Sequence, residues 1–214
     1  MKPIRVVLGD DHTLVRQGVK ALLASFSILV EGEAGDGREL VKLVRAIQPD
    51  IAVVDVSMPL LNGLDATRQI AQVAPKTRVI LLSMFHDKGY ISQAHRVGAW
   101  GYVLKEEAPE RLVKAIERVA AGERYFPQEM GEGADVRIDE RLTPREREVL
   151  QLIAEGKRNN EIAEVMMRSL HTVRNHRARL MRKLGAHSVA ALVKEAEEMG
   201  LVHLAPPKDS DDHT

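Results

Sequence analysis

Residues 4–8, "IRVVL", form an apolar run that stops at Gly9 and two aspartates, and this predicts a short buried strand. In residues 13–25 the apolar positions shift to helical spacing, which predicts a helix with Leu14, Val15, Val19, Leu22 and Leu23 on one face. The alternation then repeats. Strands are predicted at 28–34, 51–56, 78–83 and 101–104. Helices are predicted at 35–47 with Asp36 as cap, 63–73, about 87–97, and 109–121. The strands are apolar almost throughout, as expected of strands covered on both faces. The expected fold is therefore an α/β doubly wound parallel five-stranded sheet, with any ligand held beyond the carboxyl ends of its strands.

The pattern breaks at residues 123–140, "ERYFPQEMGEGADVRIDE", where glycines, a proline and many acids replace any sustained period. This reads as a linker. In "LTPREREVL", Thr143 then offers an N-cap, Pro144 a first helical residue and Glu146 the reciprocal capping group. Helices are predicted at 143–155, 160–166, 170–184 and 188–198, which makes an all-α four-helix module. The last residues, "APPKDSDDHT", read as a disordered tail. The predicted domains are thus 1–122, a linker at 123–140, 141–200, and a tail at 201–214. No internal repeat is visible.

Charge sharpens this division. The 214-residue chain has 31 Lys+Arg and 31 Asp+Glu. Residues 1–122 carry 16 bases against 14 acids, 123–140 carry 2 against 6, 141–200 carry 12 against 8, and 201–214 carry 1 against 3. A neutral total therefore hides a basic module behind an acidic linker. The chain has no cysteine, which excludes disulfides and thiolate metal sites. No apolar run approaches the roughly 20 residues of a membrane span, and the first strand is not a signal peptide. The expected location is cytoplasmic.

A parallel sheet brings its strand ends to one edge, where Asp10, Asp11, Asp55, Ser83 and Lys105 would converge. Three carboxylates suit a hard divalent ion such as Mg2+. Asp55 is then a candidate nucleophile that accepts a phosphoryl group as an acyl phosphate. Lys105 would neutralise the transferring oxygens, and Ser83 would hydrogen-bond the group.

With Met58-Pro59, Gly63 and "GYVLK" ending at Lys105, residues 1–122 resemble a response-regulator receiver domain, a flavodoxin-like fold. The resemblance implies that Asp11 and Asp55 bind Mg2+ directly with the Ser57 backbone carbonyl, while Asp10 acts mainly through water. It implies that Asp55 is the phosphoacceptor and that Tyr102 swings inward when Ser83 engages the phosphoryl group. Four positions depart from the family pattern or stand apart within it. Gly9 replaces a bulkier apolar residue and is expected to loosen the approach to the acidic pair. Glu106 follows Lys105 where many receivers have proline. His95 replaces an apolar residue. Trp100, the sole tryptophan, is either ordinary packing or a contact for another domain or partner.

Residues 168–183, "RSLHTVRNHRARLMRK", hold six Lys/Arg and no acid. Val173, Leu180 and Leu184 mark an inward stripe, opposite Arg174, Asn175, Ala178, Arg179 and Arg182. Arg suits guanine and Asn suits adenine in a major groove. The preceding helix and the break at Arg168–Ser169 complete a helix-turn-helix. The module resembles the LuxR-type DNA-binding domain in "LTPREREVL", Gly156, "NEIAE", Ser169, "TVRNH" and "LMRKLG". The resemblance implies base contacts from Arg174 and Asn175. It also implies backbone contacts from Lys157, Asn160, Thr172, Arg177 and Arg179, and pairing through the last helix. Arg168 stands where an apolar residue usually enters the turn. His171 and His176 are poorly spaced for a shared metal, so no zinc site is expected.

Together the modules resemble a response regulator of the NarL/FixJ type. The implied protein is a transcription regulator that binds double-stranded DNA, takes phosphoryl from a sensor histidine kinase and forms a homodimer. It is not a conventional enzyme, although the receiver assists its own phosphoryl transfer and dephosphorylation. One alternative is a phosphorylation-independent regulator that uses the receiver only to dimerise. The other is a phosphatase of the haloacid-dehalogenase type, which needs a second Asp where this chain has Ser57.

Overall fold

The computed structural model describes residues 3–86, 88–107, 109–127 and 142–202. Residues 128–140 of the predicted linker and 203–214 of the predicted tail lie outside them. The chain divides into two compact units between residues 140 and 141.

The first unit alternates β1 (Ile4–Gly9), α1 (Thr13–Ser25), β2 (Ile28–Ala34), α2 (Gly37–Ile47), β3 (Ile51–Asp55), α3 (Gly63–Val73), β4 (Arg78–Ser83), α4 (Lys88–Arg96), β5 (Gly101–Leu104) and α5 (Pro109–Ala120). All strand pairs are parallel, in the order β2-β1-β3-β4-β5. The order reverses between β1 and β3, so Asp10 and Asp55 stand at the switch point where such sheets hold ligands.

The continuous apolar runs are explained by two cores, one on each sheet face. Val7, Ala52, Val54, Val79, Leu81 and Tyr102 share a cluster with Leu40 and Val44 of α2 and Ile70 of α3. The alternate residues Val6, Leu8, Val53, Ile80, Leu82 and Val103 share another with Leu23 of α1 and Ile116 of α5. Period-2 alternation sends each set to its own face.

The helical face predicted for α1 holds only in part. Leu23 is buried and Val19 and Leu22 pack on the core, but Leu14 is 88 % exposed. Val15 lines a groove of about 350 Å3 between α1 and α5, floored by Gly18, Leu82, Val103 and Leu112. A Cβ on Gly18 would meet nothing within 4 Å, so this part of the groove is open. Gly9 leaves no void in the core. A Cβ there would lie 2.6 Å from Leu40 Cδ2, because α2 fills the space that a larger residue would take.

Two glycines seat the β3–α3 loop. A Cβ on Gly63 would stand 2.2 Å from the Asp55 carbonyl oxygen, and one on Gly37 1.8 Å from the Leu61 carbonyl oxygen. Both approaches are closer than any side chain permits, so this loop packs directly on backbone and fixes Asp55.

The second unit comprises α6 (Pro144–Ala154), α7 (Asn159–Met166), α8 (Leu170–Leu184) and α9 (Val189–Glu198). The predicted capping box forms at α6. Thr143 N donates to Glu146 Oε2 at 2.8 Å, and Glu146 N donates to Thr143 Oγ1 at 3.3 Å. Met167 ends α7 in a left-handed conformation, and Ser169 caps α8 by accepting from Thr172 N. Arg168 points to solvent in that turn, and its N–H closes onto Ala163 O at 2.9 Å, so the charged residue does not disturb it. Among the described residues, no helix is long and apolar enough to cross a membrane.

Candidate functional site

At the carboxyl edge of the sheet, Lys105 Nζ lies 2.7 Å from Asp55 Oδ2 and 2.8 Å from Asp10 Oδ2. β1 delivers Asp10, β3 delivers Asp55, and β5 delivers Lys105. Both carboxylates are almost fully buried and the ammonium is nearly so. Three groups far apart in sequence are therefore brought together as predicted.

Burial pushes the Asp55 carboxyl above its ordinary range, against the opposing pull of Lys105; the Asp10 charge adds to the rise and the Ser57 N–H to the pull. Burial alone would lower the Lys105 ammonium, but the bonds and charges of Asp10 and Asp55 outweigh it and hold it above its usual value. One cation serves two carboxylates, so it is firmly charged while each acid is only partly compensated.

Asp11 sits at the rim, its side chain 35 % exposed, with Oδ1 2.8 Å from His12 Nδ1. Asp10, Asp11, His12 and Asp55 each place one ligand atom within 4.8 Å of the others. Three carboxylates against one ammonium leave two negative charges, and oxygen donors in this number fit a divalent ion such as Mg2+. His12 was missed in the sequence, although it directly follows the acids. Ser57 N donates to Asp55 Oδ1 at 3.2 Å, which orients the acceptor carboxylate from its own loop.

Ser83 ends β4 fully buried, and its Oγ accepts from Phe85 N at 3.0 Å. Tyr102 is also fully buried, as part of the core on its face of the sheet. Its hydroxyl donates to Phe85 O at 2.7 Å. Glu106 pairs with His86 at 2.7 Å.

In the second unit, Val173 and Leu180 are buried and Leu184 is half-buried, while Arg174, Asn175, Ala178, Arg179 and Arg182 are exposed. The predicted division of α8 is therefore present. Two of the six bases do structural work that helical spacing did not reveal. Lys183 donates to the buried Glu146 at 2.6 Å, tying α8 to the start of α6. Burial alone would raise the Glu146 carboxyl, but Lys183 and Thr143 hold it below its ordinary value. Arg177, half-buried, donates to Asn159 Oδ1 at 3.0 Å across α7. Lys157 and Thr172 are half-buried and Asn160 is exposed. Asn175 and His171 lie 3.1 Å apart through their side chains.

The addition of millimolar Mg2+ is expected to raise the melting temperature of the chain by about 2–5 °C, and less in Asp11→Ala. Thermal melts with Mg2+ and with EDTA measure this. Equal shifts in the two proteins count against metal binding by Asp11.

Residues 6–117 match the response regulator receiver domain family, and residues 140–196 match the luxR family of bacterial regulatory proteins. The transcriptional regulatory protein MctR of Rhizobium johnstonii is 40 % identical over 205 residues, 93 % of this chain and 95 % of that protein. The response regulator UvrY of Escherichia coli is 34 % identical over 208 residues, covering 92 % and 95 %. Among solved structures, RcsB of Salmonella typhimurium is 28 % identical with a TM-score of 0.64, covering 93 % of this chain and 99 % of that one. A structure of the RcsB–DNA complex is 28 % identical with a TM-score of 0.57, covering 92 % and 98 %. Since both units match their families and the relatives span nearly the whole chain, it belongs to the two-component response regulators of the NarL/FixJ type, a receiver domain joined to a LuxR-type helix-turn-helix domain.

Proposed function

We propose that this chain is a DNA-binding transcription regulator switched by phosphorylation of Asp55 from a partner histidine kinase. The observation that carries this reading is the buried Lys105 bridging Asp55 and Asp10 at the sheet's switch point. A structural ion pair would need one carboxylate. A second, only partly compensated, gives an acidic site with its own cation already in place.

A carboxylate oxygen of Asp55 forms the new bond to phosphorus as the bond to the donor imidazole breaks, leaving an acyl phosphate. Lys105 stays charged through the transfer and balances the phosphoryl oxygens. Ser83 supplies a hydroxyl to the transferred group, and Tyr102 follows it from the neighbouring strand. Asp10, Asp11, Asp55 and the Ser57 carbonyl would hold Mg2+, which supplies charge neutralisation on the transferring oxygens. Asp11 and Asp55 are assigned direct contact, with Asp10 acting through water. The receiver assists this transfer and its own later dephosphorylation without acting as a conventional enzyme.

The output is double-stranded DNA. Arg174 and Asn175 face bases from the exposed side of α8, while Arg179, Thr172, Lys157 and Asn160 hold phosphates. Arg177, given its bond to Asn159, reaches the backbone only at the edge of this surface. The RcsB–DNA complex supports binding to double-stranded DNA, and a structure of two RcsB dimers on DNA supports a homodimer.

Incubation with Mg2+ and a small acyl-phosphate donor is expected to add one phosphoryl mass to the intact chain, and none to Asp55→Ala. No gain in wild type, or an equal gain in the variant, overturns the phosphoacceptor.

A further inference from the structure

β5 closes the sheet order, paired with β4 on one side. Its other edge is covered by the opening residues of the predicted linker. Tyr125 N donates to Trp100 O at 2.9 Å, and Tyr125 O accepts from Tyr102 N at 2.8 Å, a parallel bridge opposite Gly101. A Cβ on Gly101 would stand 3.3 Å from Tyr125 O, so the glycine eases this approach.

The neighbouring side chains alternate as in a strand. Phe126 packs against the Tyr102 cluster and lies 4.4 Å from the His95 ring. Tyr125 packs against the opposite core, with Arg118 5.7 Å from its ring. Arg124 bonds Ala99 O and His95 Nδ1, each at 3.3 Å, and lies 5.5 Å over Trp100. His95, which departs from the family pattern, and Trp100, the sole tryptophan, are thus the seat of this segment.

The seat is wired to the phosphoacceptor edge. Ser83 Oγ holds Phe85 N, Phe85 O holds the Tyr102 hydroxyl, and Tyr102 N holds Tyr125 O. Turning the Ser83 hydroxyl toward a phosphoryl group on Asp55 draws on the oxygen that Phe85 N also uses. Any shift of Phe85 then pulls on a tyrosine whose backbone is one half of the strap's bridge.

We propose that residues 124–127 are a releasable strap: phosphorylation of Asp55, relayed by Ser83, Phe85 and Tyr102, frees Tyr125 and Phe126 from the edge of β5. The inference rests on the phosphoacceptor reading above. Release lengthens the tether that leads to the helix-turn-helix unit, and it bares an edge strand together with the His95 and Trp100 side chains. A phosphoryl group shifts such an equilibrium only by favouring the released form, and the shared Ser83 oxygen supplies that difference.

The test uses the full chain with Mg2+ and beryllofluoride as phosphoryl mimic. Bound fluoride is followed by fluorine NMR, and amide exchange is followed in peptides covering 122–127 and 28–34. The 122–127 peptide is expected to exchange at least about fivefold faster with beryllofluoride bound, with β2 unchanged. Trp100, the sole tryptophan, is expected to change its emission in parallel. Bound fluoride with unchanged exchange overturns the strap and leaves the phosphoacceptor standing, whereas no bound fluoride overturns both. Tyr102→Phe is expected to bind fluoride with its strap no longer responding; a wild-type response overturns the relay. Phe126→Ala is expected to exchange faster without beryllofluoride, and unchanged exchange there overturns the seat.

Discussion

Asparagine in place of Asp55 is expected to raise the melting temperature of the receiver at neutral pH in EDTA while ending phosphoryl uptake. Burial lifts the Asp55 carboxyl above its ordinary range despite Lys105. A group whose folded pKa exceeds its unfolded value stabilises the fold below the unfolded pKa. That contribution is lost as pH rises through the folded pKa, so at pH 7 the ionised Asp55 costs stability. Asn keeps the shape and removes the charge, and Lys105 retains Asp10 as its partner. The expected gain is a rise of the order of a few degrees in the melting temperature. The difference should close as the pH falls below the ordinary carboxylate range. It should narrow with Mg2+, which favours the carboxylate. A variant that melts below wild type at pH 7 in EDTA contradicts the electrostatics assigned here. Function retained at a cost in stability is common where a site stores charge for its reaction.

Replacing Arg174 with alanine is expected to weaken binding to a target duplex by about 10–100-fold, or about 1–3 kcal/mol, and to relax preference at one base pair. Arg174 stands on the exposed face of α8 beside Asn175, away from the structural bonds of Lys183 and Arg177. Its removal should leave the fold intact. Arg179→Ala gives the contrast, a loss uniform across sequences with a salt dependence shallower by about one. Anisotropy titrations on duplexes selected from a randomised pool measure both. If Arg174→Ala keeps wild-type affinity and preference, base reading lies elsewhere.

The elements were legible because each is announced by a strong local signal. Period-3.6 stripes and apolar runs mark the first unit, and the Thr143 box marks α6. The acidic site was legible for a topological reason: in a parallel sheet, strand ends must share an edge, so Asp10, Asp55, Ser83 and Lys105 could be joined from sequence. What escaped depends on partners that local patterns do not encode. Leu14 has the right spacing for the core, but it falls on the opening turn of α1, where it is left exposed. Lys183 looked like one more base of a cationic helix until α6 placed Glu146 beside it. Tyr125 falls in a segment with linker composition, and only the open edge of β5 reveals that it pairs. The fit of Gly9 depends likewise on a distant partner, Leu40 of α2, whose side chain fills the space beside it.

The most direct test of the switch is the affinity of the full chain for one selected duplex, with Mg2+ present, before and after treatment with an acyl-phosphate donor. The expected result is an affinity at least about tenfold higher after treatment, equivalent to roughly 1.4 kcal/mol, and no change for Asp55→Ala. Equal affinity of the wild-type chain before and after treatment, with the phosphoryl mass confirmed on Asp55, contradicts a phosphorylation-switched regulator and favours one that uses its receiver only to pair.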